Sequence, residues 1–308
     1  MVYDLNEINL KTVQDPKAFC EECEERYNGK VREAAEKICG NLKNSPIILL
    51  SGPSGSGKTT TARKVGEELS RKGIRTHYVS MDDYFKKVGE GTPRTPEGGY
   101  DLESPLCMDI DLLNEHFTAL SKGESVNIPK YDFLVKDRAA EPSKTIRLGK
   151  DEMCIFEGIH ALNSALTGMH TEAFRLFISP RTNVEFNGDV VFKATWFRLV
   201  RRTVRDYKFR NSDAEETMSM WANIRRGEKL YISPFRETAN FWFDTSMPCE
   251  LAVMNETATK LFRTVPEGVE RYDELRKVLP ALQLFGRIDE KAVPEDSLLR
   301  EFIGGSNN

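Results

Sequence analysis

Gly52, Pro53, Ser54, Gly55, Ser56, Gly57, Lys58 and Thr59 make the pattern G-x-x-x-x-G-K-[ST]. The chemistry of that pattern is the gripping of a polyphosphate. Its glycines let successive backbone N–H groups face one concavity, Lys58 reaches the β and γ phosphates, and the Thr59 hydroxyl ligates Mg²⁺. The helix that follows, with Thr60 in its first turn, adds the positive end of its dipole. A flexible Gly/Ser-rich turn is the bland alternative. The apolar run Ile47-Ile48-Leu49-Leu50 before the loop and the helical pattern Thr60 to Arg71 after it favour the phosphate cradle.

A cradle alone does not say whether the terminal phosphate goes to water, to a nucleotide or to a small-molecule hydroxyl. Phosphoryl transfer also needs a held metal, a proton acceptor and positive charge for the transition state. Two acidic sites fit: Asp82 and Asp83 in "YVSMDDYF", and Glu157 in "IFEG", each where an apolar strand ends. A carboxylate there serves as a base, as a metal ligand or merely as a helix cap. The basic element is "RLVRRTVRDYKFR", 198 to 210, in which Arg198, Arg202 and Arg205 recur at helical spacing. That spacing turns one cationic face toward phosphates, as a lid would; the alternative is a solvated charged face.

The elements that must position these groups alternate strand, loop and helix from Pro46 onward: strand 47 to 51, helix 58 to 72 with Gly73 as its stop, and strand 76 to 81. That alternation predicts βαβ units in a parallel sheet, with ligands at the carboxyl ends of the strands. Residues 89 to 105, "GEGTPRTPEGGYDLESP", read as a long irregular substrate loop. A helix from Asp109 to Ser121 follows, on which His116 belongs to the apolar face, then short extended pieces at 126 to 133 and 144 to 148. Strands at 153 to 156 and 174 to 179, helices at about 194 to 210 and 213 to 226, and a late strand in 240 to 246 complete the pattern. The division expected is a helical lead-in over 1–45, with its helix at 15 to 43. A P-loop domain over 46–262 follows, with a lid at about 194–230, and then a helical, peripheral tail over 263–308.

The 308 residues carry a net charge of −4, without the basic footprint of a nucleic-acid binder. No basic-then-apolar leader opens the chain and no apolar run approaches the ~18 residues that span a bilayer, so a cytoplasmic protein is expected. The six cysteines are scattered, and Cys20-Glu-Glu-Cys23 lacks a second pair at zinc spacing, so it reads as helix packing. No N-K-x-D, D-x-x-G or L-S-G-G-Q element accompanies the P-loop, which disfavours a GTPase switch or an ABC-type ATPase.

In order along the chain, "GPSGSGKTT", "SMDDYF", "GGYDLESP", "IPKYDF", "FEGIHALN", "RRTVRDYKFR", "WANIRRGEK" and "SLLREFIGG" resemble the uridine kinase and phosphoribulokinase family, over roughly residues 46 to 305. They are most similar to its bacterial uridine-kinase-like branch, whose members often carry an N-terminal TGS domain not found in this sequence. The resemblance implies an α/β fold, a P-loop NTPase-type parallel sheet flanked by helices, with a helical lid and terminal helices. It implies ATP or GTP as donor, Mg²⁺ as cofactor and a small-molecule acceptor, with homo-oligomers common in the family although no apolar stripe here compels one. By the same resemblance Asp82 is the general base and, with Thr59 and Glu157, orders Mg²⁺. Tyr100 and Asp101 match the pair that packs on the nucleoside and binds its ribose hydroxyls. Tyr131, Phe133 and, more loosely, Phe85 match the acceptor wall, and Arg202, Arg205 and Arg210 match lid arginines on ribose or donor phosphates.

Departures bear on the acceptor. Lys136 stands where pyrimidine-nucleoside kinases of this family have a base-reading His, Ser212 replaces a lid arginine, and Met220 replaces a glutamine. Changing hydrogen-bonding positions changes which acceptor is taken. Lys136 and Arg138 offer cations to an anionic acceptor, as a sugar-phosphate kinase requires. The expected activity is transfer of a γ-phosphoryl group to a hydroxyl, foremost the 5′-OH of a nucleoside. The alternatives are a sugar, sugar-phosphate or polyol kinase and, in a different class, a non-catalytic nucleotide sensor.

Overall fold

The computed structural model describes residues 2–305; residue 1 and residues 306–308, the outermost ends of the expected lead-in and tail, lie outside the described residues. The first half runs β1 (Val2–Asp4), α1 (Leu5–Gln14), α2 (Pro16–Asn41), β2 (Ile47–Ser51), α3 (Lys58–Arg71), β3 (Arg75–Ser80), α4 (Ile110–Ser121), β4 (Val126–Ile128), β5 (Tyr131–Asp132), β6 (Asp137–Arg138) and β7 (Lys144–Ile146). The second half runs β8 (Glu152–Glu157), α5 (Ser164–Thr167), β9 (Phe174–Ser179), β10 (Asn183–Phe186), β11 (Asp189–Phe192), α6 (Ala194–Phe209), α7 (Ala214–Gly227), β12 (Phe241–Asp244), α8 (Glu250–Phe262), α9 (Tyr272–Leu282) and α10 (Arg300–Ile303).

The main sheet has the order β12-β9-β2-β8-β3, and every neighbouring pair is parallel. Side chains alternate across a strand, so β2 sends Ile48 and Leu50 to one face and Ile47 and Leu49 to the other. Each face has its own core. The Ile48 face is covered by α2, α3, α6 and α8, and the Ile47 face by α4 and the β4–β7 ribbon. Burial on both faces explains why these strands read as unbroken apolar runs.

Register then aims the chemistry. Glu157 is level with Leu50 of β2 on one side and with Ser80 of β3 on the other, so the P-loop, Asp82 and Glu157 emerge side by side from one rim. The chain steps from β2 over β8 to β3, leaving the crevice at these carboxyl ends that such a crossover creates.

Three expectations change. The lead-in is a strand and two helices: β1 pairs in parallel with β10, and the Asp15 carboxylate caps α2 by accepting from Ala18 N at 2.9 Å while Pro16 starts the helix. The supposed lid helix is a wall. Trp196, Phe197, Leu199, Val200 and Val204 of α6 lie in the main core, because the run of arginines shares its helix with an apolar stripe facing α8 and α10. The C-terminal tail is not peripheral either. Leu298, Leu299 and Phe302 are fully buried, and a Cβ on Gly57 would lie 2.6 Å from Leu298 Cδ1.

The cysteines and His116 behave as packing residues. Cys20 and Cys23 are buried on α2, and His116 Nδ1 is 2.8 Å from the Tyr84 hydroxyl inside the second core. Among the described residues no group of His, Cys, Asp and Glu has the arrangement of a protein-only metal cage, and no helix is long and apolar enough to cross a membrane.

Candidate active site

Gly57 caps α3 with φ +87°, and no side chain caps that helix locally. The first-turn N–H groups of α3 are therefore free of intrahelical partners and point into the P-loop concavity. Lys58 Nζ folds back to within 3.4 Å of the Pro53 carbonyl. The loop is braced from behind by α6. Arg198 Nη1 donates to Ser54 O at 3.2 Å, Arg202 Nη1 donates to Ser54 Oγ at 2.7 Å, and Arg201 Nη1 donates to the carbonyls of Gly55 and Ser56 at 3.4 Å each. Arg201 and Glu250 form an ion pair with both side chains inaccessible, and Thr245 Oγ1 donates to Ser56 O at 2.8 Å. These bonds hold the carbonyls of Ser54, Gly55 and Ser56 on the α6 side of the loop, while Ser56 N turns back to the Pro53 carbonyl at 3.2 Å.

Thr59, Asp82 and Glu157 converge on the open side. Thr59 Oγ1 lies 3.4 Å from Glu157 Oε1. Asp82 is in a 3₁₀ turn, Met81–Tyr84, capped by Ser80. Burial raises its carboxyl above the ordinary range, Lys58 and Arg210 pull it back, and Asp83 pushes it further up. Glu157 is raised to about 7 by burial, with Asp82 adding to the shift and Lys58 opposing it. Two desolvated carboxylates beside a hydroxyl make an all-oxygen donor set. That fits Mg²⁺, which takes one or two carboxylates and completes its shell with water and phosphate oxygens.

An aromatic cluster begins three residues beyond Asp82. Phe85, Tyr131 and Phe133 surround one another at centroid distances of 5.6, 5.0 and 6.5 Å. With Leu102, Leu106 and Lys136 they line a largely apolar cavity of about 320 Å³. Tyr131 N donates to Asp83 Oδ1 at 3.2 Å, so this wall is fastened to the same turn that carries Asp82.

Several expected residues are placed elsewhere. Arg138 donates to Asp109 Oδ2 at 2.9 Å and to the carbonyls of Phe85 and Tyr84 at 3.1 and 2.9 Å, so it ties the β5–β6 hairpin to the end of the Asp82 turn and to the start of α4. Arg202 lies against Ser54 of the P-loop, away from the aromatic cavity. Arg205 is spent on Asp206, at 2.6 Å, while Arg210 is half-exposed with its charge reaching Asp82. Tyr100 is stacked under Arg94, at 4.8 Å, outside the aromatic cavity. Asp101 is buried and already engaged, by Tyr231 OH at 2.9 Å and Arg226 Nη2 at 2.7 Å.

Two more groups in this region, Glu103 and His160, carry no sequence signal of their own. Glu103, of "GGYDLESP", is raised to about 7 by burial, with Asp101 and Asp82 adding and Arg202 opposing. His160, of "FEGIHALN", is buried beside the backbone of Glu103 and Tyr231 and is pushed down to about 4, which keeps it neutral. Burial, which a one-dimensional pattern does not carry, is what makes both unusual.

The family model described as "Phosphoribulokinase / Uridine kinase family" matches residues 47–252. Among curated relatives, a uridine kinase of Staphylococcus haemolyticus is 29% identical over 201 residues, covering 65% of this chain and 87% of that protein. A uridine kinase of Brevibacillus brevis is 27% identical over 200 residues, covering 65% and 84%. Of solved structures, a possible uridine kinase from Bacillus stearothermophilus aligns with TM-score 0.44 and 17% identity over 70% of this chain and all of that one. A putative fructose transport system kinase from Silicibacter aligns with TM-score 0.46 and 17% identity over 65% and 95%. Because the family model spans well over half of the sequence and contains the whole phosphate rim, the chain belongs to the phosphoribulokinase / uridine kinase family of phosphotransferases that act on a hydroxyl group.

Proposed function

We propose that this kinase transfers the γ-phosphoryl group of ATP or GTP to the 5′-hydroxyl of a nucleoside or a close nucleoside analogue. The observation that carries the reading is the aromatic cavity tied through Asp83 to the Asp82 turn. Three rings around about 320 Å³ suit a planar heterocycle, which an apolar wall holds by stacking. A sugar bridging from that cavity toward the P-loop brings its hydroxyl to Asp82.

Each residue then has a task. The loop N–H groups and Lys58 hold the phosphates, and Arg210 supplies positive charge from the opposite side. Asp82 accepts the hydroxyl proton; its raised pKa strengthens it as a base near neutral pH. Thr59, Asp82 and Glu157 would hold Mg²⁺, which when bound neutralises charge spreading over the transferred group. Asp101 reaches ribose hydroxyls once Arg226 and Tyr231 yield it.

A second reading has its own observation. Lys86 and Lys136 line the cavity, while Lys87 is paired with Asp137 at 2.7 Å, and the two cations favour an acceptor that carries an anionic group, such as a sugar phosphate. Acceptor-stimulated ADP release, measured with ATP, Mg²⁺ and a panel of nucleosides, sugars and sugar phosphates, tests both. Stimulation by nucleosides is expected; stimulation by sugar phosphates alone moves the assignment to the second reading.

A further inference from the structure

The first turn of α3 holds an unexpected partner. Thr60 N donates to the carboxylate of Glu301, Oε2, at 3.1 Å, across 241 positions of sequence. Thr60 N–H is one of the N–H groups at the head of the phosphate-binding helix that have no intrahelical acceptor, so a carboxylate there stands where an anionic phosphate oxygen belongs. The neighbourhood is that of a polyphosphate: the charge of Glu301 adds to the upward shift of Glu157 and reaches Arg210 on the other side.

The segment carrying Glu301 is firmly seated. Arg300 donates to the carbonyls of Pro294 and Gly304 at 3.2 and 3.0 Å, Lys208 Nζ donates to Ile303 O at 2.9 Å, and Phe302 is buried under the Arg201 guanidinium. Glu301 itself is only partly buried. The backbone of α10 can therefore stay docked while this one side chain swings away. Nucleotide-free enzyme gains a capped helix; nucleotide must replace that cap and meets a like charge as it does.

We propose that Glu301 is an internal competitor for the donor's phosphate chain, a residue that sets how tightly nucleotide is held and how readily the spent diphosphate leaves. The inference rests on the donor-site reading of the P-loop. It assigns to the C-terminal segment a role in the donor site rather than in the acceptor pocket.

Calorimetric titration of Mg·ADP and of a nonhydrolysable Mg·ATP analogue into the full chain tests it, with Glu301→Gln, Glu301→Ala and Glu301→Asp compared with the unchanged protein. Losing a charge-assisted hydrogen bond and a like charge at the phosphate predicts about tenfold tighter ADP binding for Gln and Ala. Asp keeps the charge and is expected to stay within about threefold of the unchanged protein. Slower ADP release, followed by stopped flow, accompanies the tighter binding. Equal or weaker ADP binding in Glu301→Gln, with an unaltered melting temperature, overturns the proposal. Should Glu301→Ala fail to fold, Glu301→Gln carries the test alone, since its amide oxygen still accepts from Thr60 N. If the unchanged chain binds neither nucleotide, the donor-site reading fails first, and this inference with it.

Discussion

The two halves of the site are built differently. On the donor side the P-loop carbonyls are bonded by Arg198 and Arg201, which are 1% and 0% exposed, and the loop is backed by α6, α8 and α10. On the acceptor side Phe133, Leu134 and Val135 are 62, 94 and 67% exposed on a two-stranded hairpin, and Lys136 sits at φ +55°. The contrast separates two demands. Phosphate chemistry needs preorganised dipoles that do not relax, whereas acceptor choice needs only a few side chains on an adaptable rim. On the proposed function, selectivity would change along the hairpin and the 89 to 105 loop without disturbing the machinery of transfer.

If that separation holds, the largest effect comes from the one group both halves share. Asp82→Asn keeps the shape of the turn but removes the proposed proton acceptor, and kcat is expected to fall by about 10³-fold. Nucleotide affinity, measured by titration with a nonhydrolysable analogue, should change by less than about threefold. A matching loss of nucleotide affinity would show that Asp82 serves the cradle instead, and the two halves would not be separable there.

Next in size is a change wholly on the donor side. Glu250→Gln leaves the Arg201 guanidinium buried without its counter-charge, which costs about 3 kcal/mol of stability. Denaturant unfolding reads that cost directly. Because Arg201 also holds the Gly55 and Ser56 carbonyls, ATP affinity should weaken in step, while the aromatic cavity still binds an acceptor. Equal damage to both ligands would mean that the halves share one support.

A smaller effect sharpens the role of the carboxylates at their junction. Glu157 and Glu103 are raised to about 7 by burial, so the native state holds protons that the unfolded chain releases near the ordinary value of 4.5. Unfolded protein then binds fewer protons between about 4.5 and 7, and stability falls as pH rises through that window. Without divalent cations the melting temperature should drop by roughly 2–4 °C from pH 5 to pH 8. Glu157→Gln should flatten its share of the slope. With Mg²⁺ present the ionised carboxylate gains a partner, and apparent Mg²⁺ affinity should instead rise with pH through about 7.

The same division explains what could be read from sequence. Strand β2, the loop and α3 follow from an apolar run, two glycines and a helical period, all local features. His116 was legible as packing for the same reason. The fate of α6 was not, because "RLVRRTVRDYKFR" displays its arginines while the stripe of Trp196, Leu199 and Val200 gains meaning only against α8 and α10. The bonding of Arg138 was not legible because its partners, Asp109 and the carbonyls of Tyr84 and Phe85, lie 29 and more positions away in the chain. Glu301 sits in the family-like stretch "SLLREFIGG", but nothing local gives its partner: a carboxylate 241 positions from Thr60 is ordinary until the fold sets it at the head of α3.

The smallest expected effect falls on Lys136, and it separates the two acceptor readings. Its side chain is exposed at the cavity mouth, where a single solvent-screened charge contributes about 0.2–1 kcal/mol, or up to about fivefold in KM. For a neutral nucleoside Lys136→Ala should leave KM within twofold (about 0.4 kcal/mol), and added salt should change nothing. For an acceptor bearing a phosphate, KM should rise by about two- to fivefold, and salt should erase the difference between variant and unchanged enzyme. Arg138→Ala is the counterpart on the same hairpin. Since Arg138 ties the hairpin to the Asp82 turn and to α4, its loss should raise KM for every acceptor alike and lower the melting temperature, effects that Lys136→Ala should not share.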